Sequence, residues 1–292
     1  MTRRSFVNNN RRRGKMKRQL IMEKALELFA QQGFHATSVQ QITDFCGISK
    51  GAFYLSFKSK DELILALIDH FMMQYIADID YTVKQTDNKT LLYKFYYTNF
   101  NSFLKHSDFA KLLIKEQTKP LNEELLQKMH YYDNKVDNSI LTMIERLYGE
   151  AVTHTKFDLV YCIKGLMNTY AALFIFNRVP LDVELLSQSL VEKTQILAMH
   201  STVPFITRDY MKASGHPLVE TIPKEKIIEL VIEKIEEIDD STEKESLLLL
   251  KDHLIEPTLS PAIVMGLLEN IQKNPHCKWI AYMLRNHFEN GY

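Results

Sequence analysis

The chain has 292 residues, of which 46% are hydrophobic and 25% are charged, a composition typical of a globular protein with room for a large core. No apolar run approaches the roughly 20 residues that a membrane span requires, and no apolar signal core follows the basic N-terminus. The three cysteines, Cys46, Cys162 and Cys277, lie far apart, which argues against a disulfide framework or a cysteine metal site. We therefore expect a disulfide-free cytoplasmic protein with no metal and no cofactor.

The formal net charge is zero but unevenly distributed. Residues 1–60 carry twelve Lys and Arg against three Asp and Glu, a net charge of +9, so the remaining 232 residues carry 24 against 33, a net charge of −9. Attraction for nucleic-acid phosphates is thus concentrated at one end of the chain. A charge run is more often a solvated tail than a binding surface. Whether this basic end binds phosphate or is only solvated is decided by the elements beside it.

The first elements in chain order are an arm and a helix. Residues 1–15 are basic, contain no acid and show no hydrophobic periodicity, so a disordered arm is predicted. A helix is predicted from about Lys17 to Gln32, with one apolar face and Gly33 as its stop. This helix is interpreted as a scaffold.

Two short helices joined by a tight turn follow. Thr37 or Ser38 can cap the first, because each is followed three residues later by glutamine, the capping-box spacing. Gly47 stands where a helix C-terminus requires a left-handed residue, and Ser49 can cap a second helix that reaches Leu55. Four residues of the first helix are predicted to form its buried stripe: Val39, Ile42, Phe45 and Cys46. The pattern is typical of a helix-turn-helix, whose second helix enters a DNA groove.

A longer helix is predicted next, reaching about Asp80, with Ser59 and Glu62 at the capping-box spacing. Its apolar positions form a continuous stripe. One helix would therefore tie the N-terminal elements to the rest of the chain.

The sequence from Ala25 to Leu67 resembles the N-terminal domain of TetR-family transcriptional regulators. The resemblance is carried by Leu28, Phe29, Ala30, Gly33, Phe34, Thr37, Ser38, Val39, Ile42, Cys46, Gly47, Ile48, Ser49, Lys50, Gly51, Phe53, Tyr54, Phe57, Ser59, Lys60 and Leu63. It implies an all-α fold, with a helix-turn-helix DNA-binding domain over 16–60 and a helical ligand-binding and dimerisation domain over 61–204. It also implies that the fourth helix is a lever whose tilt resets the distance between two recognition helices.

The predicted DNA contacts centre on the second short helix. Gly51 permits close approach of a phosphate, Ser49 and Lys50 stand at a helix N-terminus that favours phosphate, and Ala52 can touch a thymine methyl. The resemblance implies that Tyr54 meets phosphate while Phe53 packs inward. The predicted DNA-binding residues are Thr37, Ser38, Gln40, Ser49, Lys50, Gly51, Ala52, Tyr54, Ser56 and Lys60. Ser56 replaces a histidine common in the family, Leu55 replaces a second tyrosine or another polar residue, and Gln41 and Thr43 are further candidates for base readout.

The region after the fourth helix is rich in aromatic residues and methionine. Such side chains can line an apolar effector cavity, or they can be ordinary helical core. The candidate effector residues are Tyr93, Tyr97, Phe100, Phe103, Met129, Tyr132, Met167, Tyr170 and Phe174. The resemblance implies a four-helix dimer seam from helices over 157–176 and 182–199, with candidate residues Gly165, Asn168, Ala172, Leu186 and Leu190.

Residues 205–292 form a C-terminal extension beyond the usual length of the family. A proline- and glycine-containing connector reaches residue 222. Four helices are then predicted over 224–238, 243–255, 261–273 and 276–288, separated by polar residues and proline. The run Leu247–Leu250 must be buried, because a continuous apolar patch in water is a liability.

These predictions favour a ligand-responsive homodimeric repressor that binds a palindromic DNA operator and is released by a small apolar or amphipathic effector. The alternative is a DNA-binding architectural or adaptor protein whose C-terminal extension binds a protein partner without any small effector. An enzyme is not indicated, because no glycine-rich phosphate loop, nucleophile elbow or paired histidine and carboxylate spacing is present.

Overall fold

The computed structural model describes residues 3–109, 123–176, 182–213 and 222–290, and these residues form helices and no strand. The helices are α1 (Arg3–Gln32), α2 (Val39–Cys46), α3 (Lys50–Tyr54), α4 (Lys60–Gln85), α5 (Asn88–Lys105), α6 (Glu123–Tyr148), α7 (Lys156–Phe176), α8 (Val183–His200), α9 (Arg208–Ala213), α10 (Lys224–Glu237), α11 (Thr242–Ile255), α12 (Pro261–Gln272) and α13 (Lys278–Asn290). A 3₁₀ turn at Gly149–Val152 precedes α7. The all-α prediction is confirmed. Among the described helices none is long and apolar enough to cross a membrane.

The chain forms two compact units that interleave along the sequence. The first is drawn from residues 1–72, 100–131 and 168–181, and the second from 73–99, 132–167 and 182–292. Helices α4 to α7 each contribute residues to both units. The domain boundaries that the sequence predicts, at residues 15, 60 and 204, stay predictions.

Helix α1 begins earlier than the sequence predicts. Residues 1–15 were expected to form a disordered arm, but α1 starts at Arg3 and continues without a break to Gln32. Asn8, Asn9, Asn10 and Gly14 are poor helix formers, so the extension reflects continuation of an existing helix, which needs no new nucleus, rather than residue propensity. The predicted stop is confirmed: Gly33 has φ 91°, and its N–H donates to the Phe29 carbonyl at 2.9 Å.

The N-terminal helices of the first unit share one apolar core. Ile21, Ala25 and Phe29 of α1 are buried together with Ile42 of α2 and Phe53 of α3. The rings of Phe29 and of the nearby Phe34 meet edge to face, with centroids 5.3 Å apart. Burial of about 1.5–3 kcal/mol for each large apolar side chain holds these short helices, which would not be stable alone.

The four helices of the C-terminal extension, α10 to α13, match the predicted elements closely. Ser241 caps α11 by accepting a hydrogen bond from Lys244 N, and Pro261 opens α12 at its first position. The apolar run at 247–250 is only half buried: Leu247 and Leu250 are fully buried, whereas Leu248 and Leu249 are exposed. Because an α-helix has 3.6 residues per turn, Leu247 and Leu250 lie on one face of α11, and Leu248 and Leu249 lie on the other.

Within the second unit, the extension contacts one face of α4. Lys278 pairs with Asp78 at 2.5 Å, and the Tyr81 hydroxyl donates to Glu269 at 2.8 Å. Lys84, three residues further along α4, donates to Asn286 of α13 at 2.9 Å. Residues at this spacing share a helix face, so the extension is fastened along the C-terminal half of α4.

Candidate nucleic-acid interface

The turn between α2 and α3 has the predicted capping geometry. Ser38 Oγ accepts from Gln41 N at 3.2 Å and Gln41 Oε1 accepts from Ser38 N at 2.8 Å, which is a complete capping box. Gly47 has φ 64° and ends α2. Ser49 Oγ accepts from Ala52 N at 3.2 Å and begins α3. These three predictions are confirmed, with Ser38 rather than Thr37 as the cap.

Helix α3 is anchored by an aromatic contact and by α1. Phe53 is fully buried and its ring centroid lies 6.0 Å from that of Phe57. The guanidinium of Arg18 lies 4.0 Å above the Phe57 ring, and its Nη1 donates to the Ser56 carbonyl at 2.6 Å. The cation over the ring and the charged hydrogen bond fix the C-terminal end of α3 against α1.

The opposite face of α3 is open. Lys50, Gly51 and Tyr54 are exposed, and the Tyr54 side chain retains 53% of its accessible surface. Ser49 is exposed as well. The predicted division of the aromatic pair, with Phe53 inward and Tyr54 outward, is confirmed as an orientation.

Among the described residues, no contact requires glycine at position 51. A Cβ atom placed there would meet only Ser49 Oγ, at 3.8 Å, an ordinary van der Waals distance. Glycine in a helix costs about 0.8–1 kcal/mol relative to alanine. Glycine at this position is consistent with close approach of a group from outside the chain.

The exposed face also includes a residue that the sequence reasoning did not place in the site. Leu55, the C-cap of α3, is 90% exposed.

Phe45 of α2, expected in the buried stripe, is 45% exposed, and the Lys24 ammonium lies 5.0 Å from its ring. An eight-residue helix buries few positions, and in α2 the buried ones are Ile42 and Thr43, so Phe45 falls outside the contact.

The structure turns Thr37 inward. Its side chain is 1% exposed, and its Oγ1 donates to the Gly33 carbonyl at 2.8 Å and accepts from Gln32 Nε2 at 3.0 Å. The predicted DNA contact by the Thr37 side chain is wrong for this reason. Thr43 is buried as well, whereas Gln40 is exposed and donates to Asp44 at 2.6 Å.

Lys60 was predicted to face a phosphate, but its ammonium is directed toward the protein. Lys60 Nζ donates to the carbonyls of Phe34 and Thr37 at 2.7 and 2.8 Å, and it lies 4.3 Å from the Phe34 ring. These contacts tie the start of α4 to the turn between α1 and α2. Lys60 is therefore a positioning residue for the helix-turn-helix in this structure.

The predicted effector residues divide between the two units. Tyr93, Tyr97, Tyr132 and Met167 belong to the second unit, and Phe100, Phe103, Met129 and Tyr170 belong to the first. Tyr93 and Tyr97 stack with centroids 5.8 Å apart, and Phe100 and Tyr132 are buried. The Phe174 side chain lies outside the described part of the chain. Their role as an effector site stays a prediction.

The predicted dimer residues have mixed exposure. Gly165 and Asn168 are exposed, and a Cβ atom at Gly165 would meet nothing within 4 Å. Ala172 is half-buried. Leu186 and Leu190 are buried within the chain, so they cannot supply the exposed apolar surface of a seam. The exposed large apolar side chains of α8 are those of Leu185, Ile196 and Met199.

Comparison with known proteins agrees with this geometry. Residues 21–67 match the family model described as "Bacterial regulatory proteins, tetR family". The HTH-type transcriptional regulator YerO of Bacillus subtilis (strain 168) is 30% identical over 266 residues, which cover 87% of this chain and 89% of YerO. The HTH-type transcriptional regulator YuxN of the same organism is 27% identical, over 89% of this chain and 93% of YuxN.

A solved structure shows the same fold. The transcriptional regulator FadR from Bacillus subtilis, crystallised in complex with stearoyl-CoA, matches with a TM-score of 0.53 at 21% identity, over 63% of this chain and 99% of FadR. The match to YerO covers 87% of this chain and therefore includes part of the C-terminal extension, whereas the match to FadR covers 63%.

The capped helix pair and its open face define a helix-turn-helix transcriptional regulator. The chain belongs to the tetR family of bacterial regulatory proteins.

Proposed function

We propose that the chain is a homodimeric repressor that binds a palindromic DNA operator through α3 and is released by a small amphipathic effector. The observation that carries the DNA contact is the open face of α3, where Gly51 has no internal reason to be glycine and Tyr54 is exposed beside it. The uneven charge supports the same docking, because the positive charge is concentrated in the first 60 residues, which include α3, and the remainder of the chain is acidic.

Dimerisation is supported by the exposed face of α8. Leu185, Ile196 and Met199 recur at spacings of eleven and three residues, which places them on one side of the helix. Gly165 of α7 has open space around its Cα atom, which allows a helix of a second copy to approach closely. Two copies of the DNA-binding domain are needed because one short α3 contacts few phosphates. A two-fold pair of these domains matches half-sites about 34–36 Å apart.

The class of effector is supported by the fold likeness to FadR of Bacillus subtilis, which was solved with stearoyl-CoA. That ligand joins a long apolar chain to a charged head, and the aromatic side chains of α5 and α6 suit the apolar part. A ligand of this kind releases DNA only if it binds more tightly when the two DNA-binding domains have a spacing that does not fit the operator than when they have the spacing that does.

The test begins with DNA fragments that the full chain selects from a random pool. Binding to the selected fragment is measured against salt concentration for the wild type and for Lys50→Ala. If each head loses one phosphate contact, the salt slope should flatten by about 1.8 for a dimer. Lys226→Ala, an exposed lysine of α10, is the matched control and should leave the slope unchanged. Equal slopes for the wild type and Lys50→Ala would contradict the proposed docking.

The effector part is tested on the same fragment. Stearoyl-CoA added to the preformed complex should release the DNA, whereas free coenzyme A, which lacks the apolar chain, should not. Retention of the DNA at saturating stearoyl-CoA would contradict an effector of this class and would leave the DNA contact standing.

A further inference from the structure

Leu55, at the C-terminal end of α3, is an apolar residue almost entirely exposed to solvent. Among the large apolar side chains that the structure describes it is the most exposed, at 90%. Its backbone is still helical, with φ −71° and ψ −22°, and its N–H donates to the Gly51 carbonyl at 3.1 Å. A single exposed leucine is common in proteins, so its direction on α3 decides whether it has a role.

Two phenylalanines mark the buried side of α3. Phe53 and Phe57 are both buried, and the Phe57 N–H donates to the Phe53 carbonyl at 2.9 Å, so the helical geometry continues between them. Phe53 lies two residues before Leu55 and Phe57 two residues after it. At about 100° per residue, each is therefore about 160° from Leu55 around the helix axis. Leu55 points away from the core.

Leu55 shares this outward face with Gly51. Residues four apart lie on the same side of a helix, and a Cβ atom at Gly51 would meet only Ser49 Oγ, at 3.8 Å. The face that is proposed to lie against DNA thus carries a glycine and, one turn later, an apolar side chain. Neither side chain can donate or accept a hydrogen bond.

The polar groups of the next residue are engaged within the chain. The Ser56 hydroxyl donates to the Ala52 carbonyl at 3.4 Å, and the Ser56 carbonyl accepts from Arg18 at 2.6 Å. In this conformation Ser56 is therefore occupied, and Leu55 is the side chain that this end of α3 presents on the side opposite the core.

The major groove of DNA offers an apolar side chain one specific match. Every base edge there presents hydrogen-bond donors or acceptors, and thymine alone adds a methyl group, at C5. Leucine makes no hydrogen bond, so it gains nothing from the polar edges of the other bases. Burial of one methyl-sized group corresponds to about a threefold to fivefold gain in affinity.

We propose that Leu55 is a specificity-determining residue that selects thymine at one position of each operator half-site, by packing against the C5 methyl group in the major groove. This inference rests on the proposed DNA recognition by α3. A dimer makes two such contacts, which together correspond to about a tenfold to twenty-fivefold preference for thymine over the same base without its methyl group.

The test uses deoxyuridine, which pairs as thymidine does but lacks the methyl group. In a DNA fragment that the full chain selects from a random pool, each symmetry-related pair of thymines is replaced in turn, and binding is measured by fluorescence anisotropy. One pair should cost the wild type about tenfold to twenty-fivefold in affinity. Leu55→Ala should bind the thymine fragment about tenfold or more weakly and should be insensitive to deoxyuridine at that pair alone. A thymine contacted by Ala52 should stay sensitive in the variant.

Leu249→Ala, at an exposed leucine of α11, is the matched control and should leave the sensitivity of every pair unchanged. The salt slope of binding reports phosphate contacts and should be equal in Leu55→Ala and the wild type, which also shows that the variant is folded. A flattened slope in Leu55→Ala would assign the residue to the phosphate contacts and overturn the proposal.

Three other results distinguish failure of this inference from failure of the proposed repressor function. A selected site without thymine, or a set of sensitive pairs that is the same in the wild type and in Leu55→Ala, would overturn the role of Leu55 and leave the DNA contact of α3 standing. Absence of any retained DNA fragment would overturn both.

Discussion

Replacing Gly51 by alanine should make the protein more stable and a weaker DNA binder. An added Cβ atom would meet only Ser49 Oγ, at 3.8 Å, so the chain itself accommodates it without strain. Removing the helix penalty of glycine should raise the free energy of unfolding by about 0.5–1 kcal/mol. On DNA the same methyl group would occupy the space that a phosphate is proposed to approach. A steric cost of about 1.4 kcal/mol at each of two heads corresponds to about a hundredfold loss of affinity.

Two measurements on one preparation separate these effects. Urea unfolding gives the stability, and fluorescence anisotropy with a selected DNA fragment gives the affinity. Gly266→Ala is the matched control, because Gly266 is an exposed glycine inside α12 with nothing within 4 Å of an added Cβ. It should give a similar gain in stability and no loss of affinity. If Gly51→Ala binds DNA as tightly as the wild type, the reasoning about close phosphate approach is refuted.

Three further predictions concern stability and assembly. Lys60→Met should lower the free energy of unfolding by about 1–2 kcal/mol, because two carbonyls lose a charged donor. Leu185→Asp should shift the sedimentation of the chain from dimer to monomer, because it places a charge in the proposed seam. Burial raises the pKa of Asp80 to about 6 from 3.8, so the folded chain retains this proton at pH values where the unfolded chain has lost it. The free energy of unfolding should therefore fall as the pH rises from about 4 to about 6, by up to about 3 kcal/mol, and Asp80→Asn should remove this component.

Each of these predictions has a control. Lys58→Met changes an exposed lysine two residues before Lys60 and should cost less than about 0.5 kcal/mol, so equal effects at 58 and 60 would contradict the inward role of Lys60. Leu249→Asp, on the exposed face of α11, should leave the sedimentation unchanged. A pH profile identical in the wild type and Asp80→Asn would show that Asp80 titrates normally in the folded chain.

Local signals in the sequence were sufficient to predict the helix-turn-helix. The caps at Ser38, Gly47 and Ser49 act through backbone groups within four residues, so spacing alone identifies them. The same holds for two of the C-terminal helices, because Ser241 caps α11 and Pro261 opens α12. The inward turn of Lys60 was not predictable, because its carbonyl partners lie 23 and 26 residues away, and a lysine at a helix start suits a phosphate equally well.

The contact between α4 and α13 was beyond sequence reasoning for a related reason. It joins Lys84 to Asn286, 202 positions later, and no periodic pattern encodes such a contact. The burial of Leu186 and Leu190 was missed because an amphipathic stripe does not reveal whether its apolar face meets the same chain or a second copy. In the structure Leu186 and Leu190 pack against the chain itself, and Leu185 on the neighbouring face is exposed.

Hydroxyl-radical footprinting on a selected DNA fragment tests the central claim most directly, namely that two copies of α3 grip duplex phosphates in a two-fold arrangement. The account predicts two protected segments related by symmetry, with centres about one helical turn apart, and their loss in Gly51→Ala but not in Gly266→Ala. A single asymmetric protected segment, or symmetric protection that Gly51→Ala leaves intact, would contradict it.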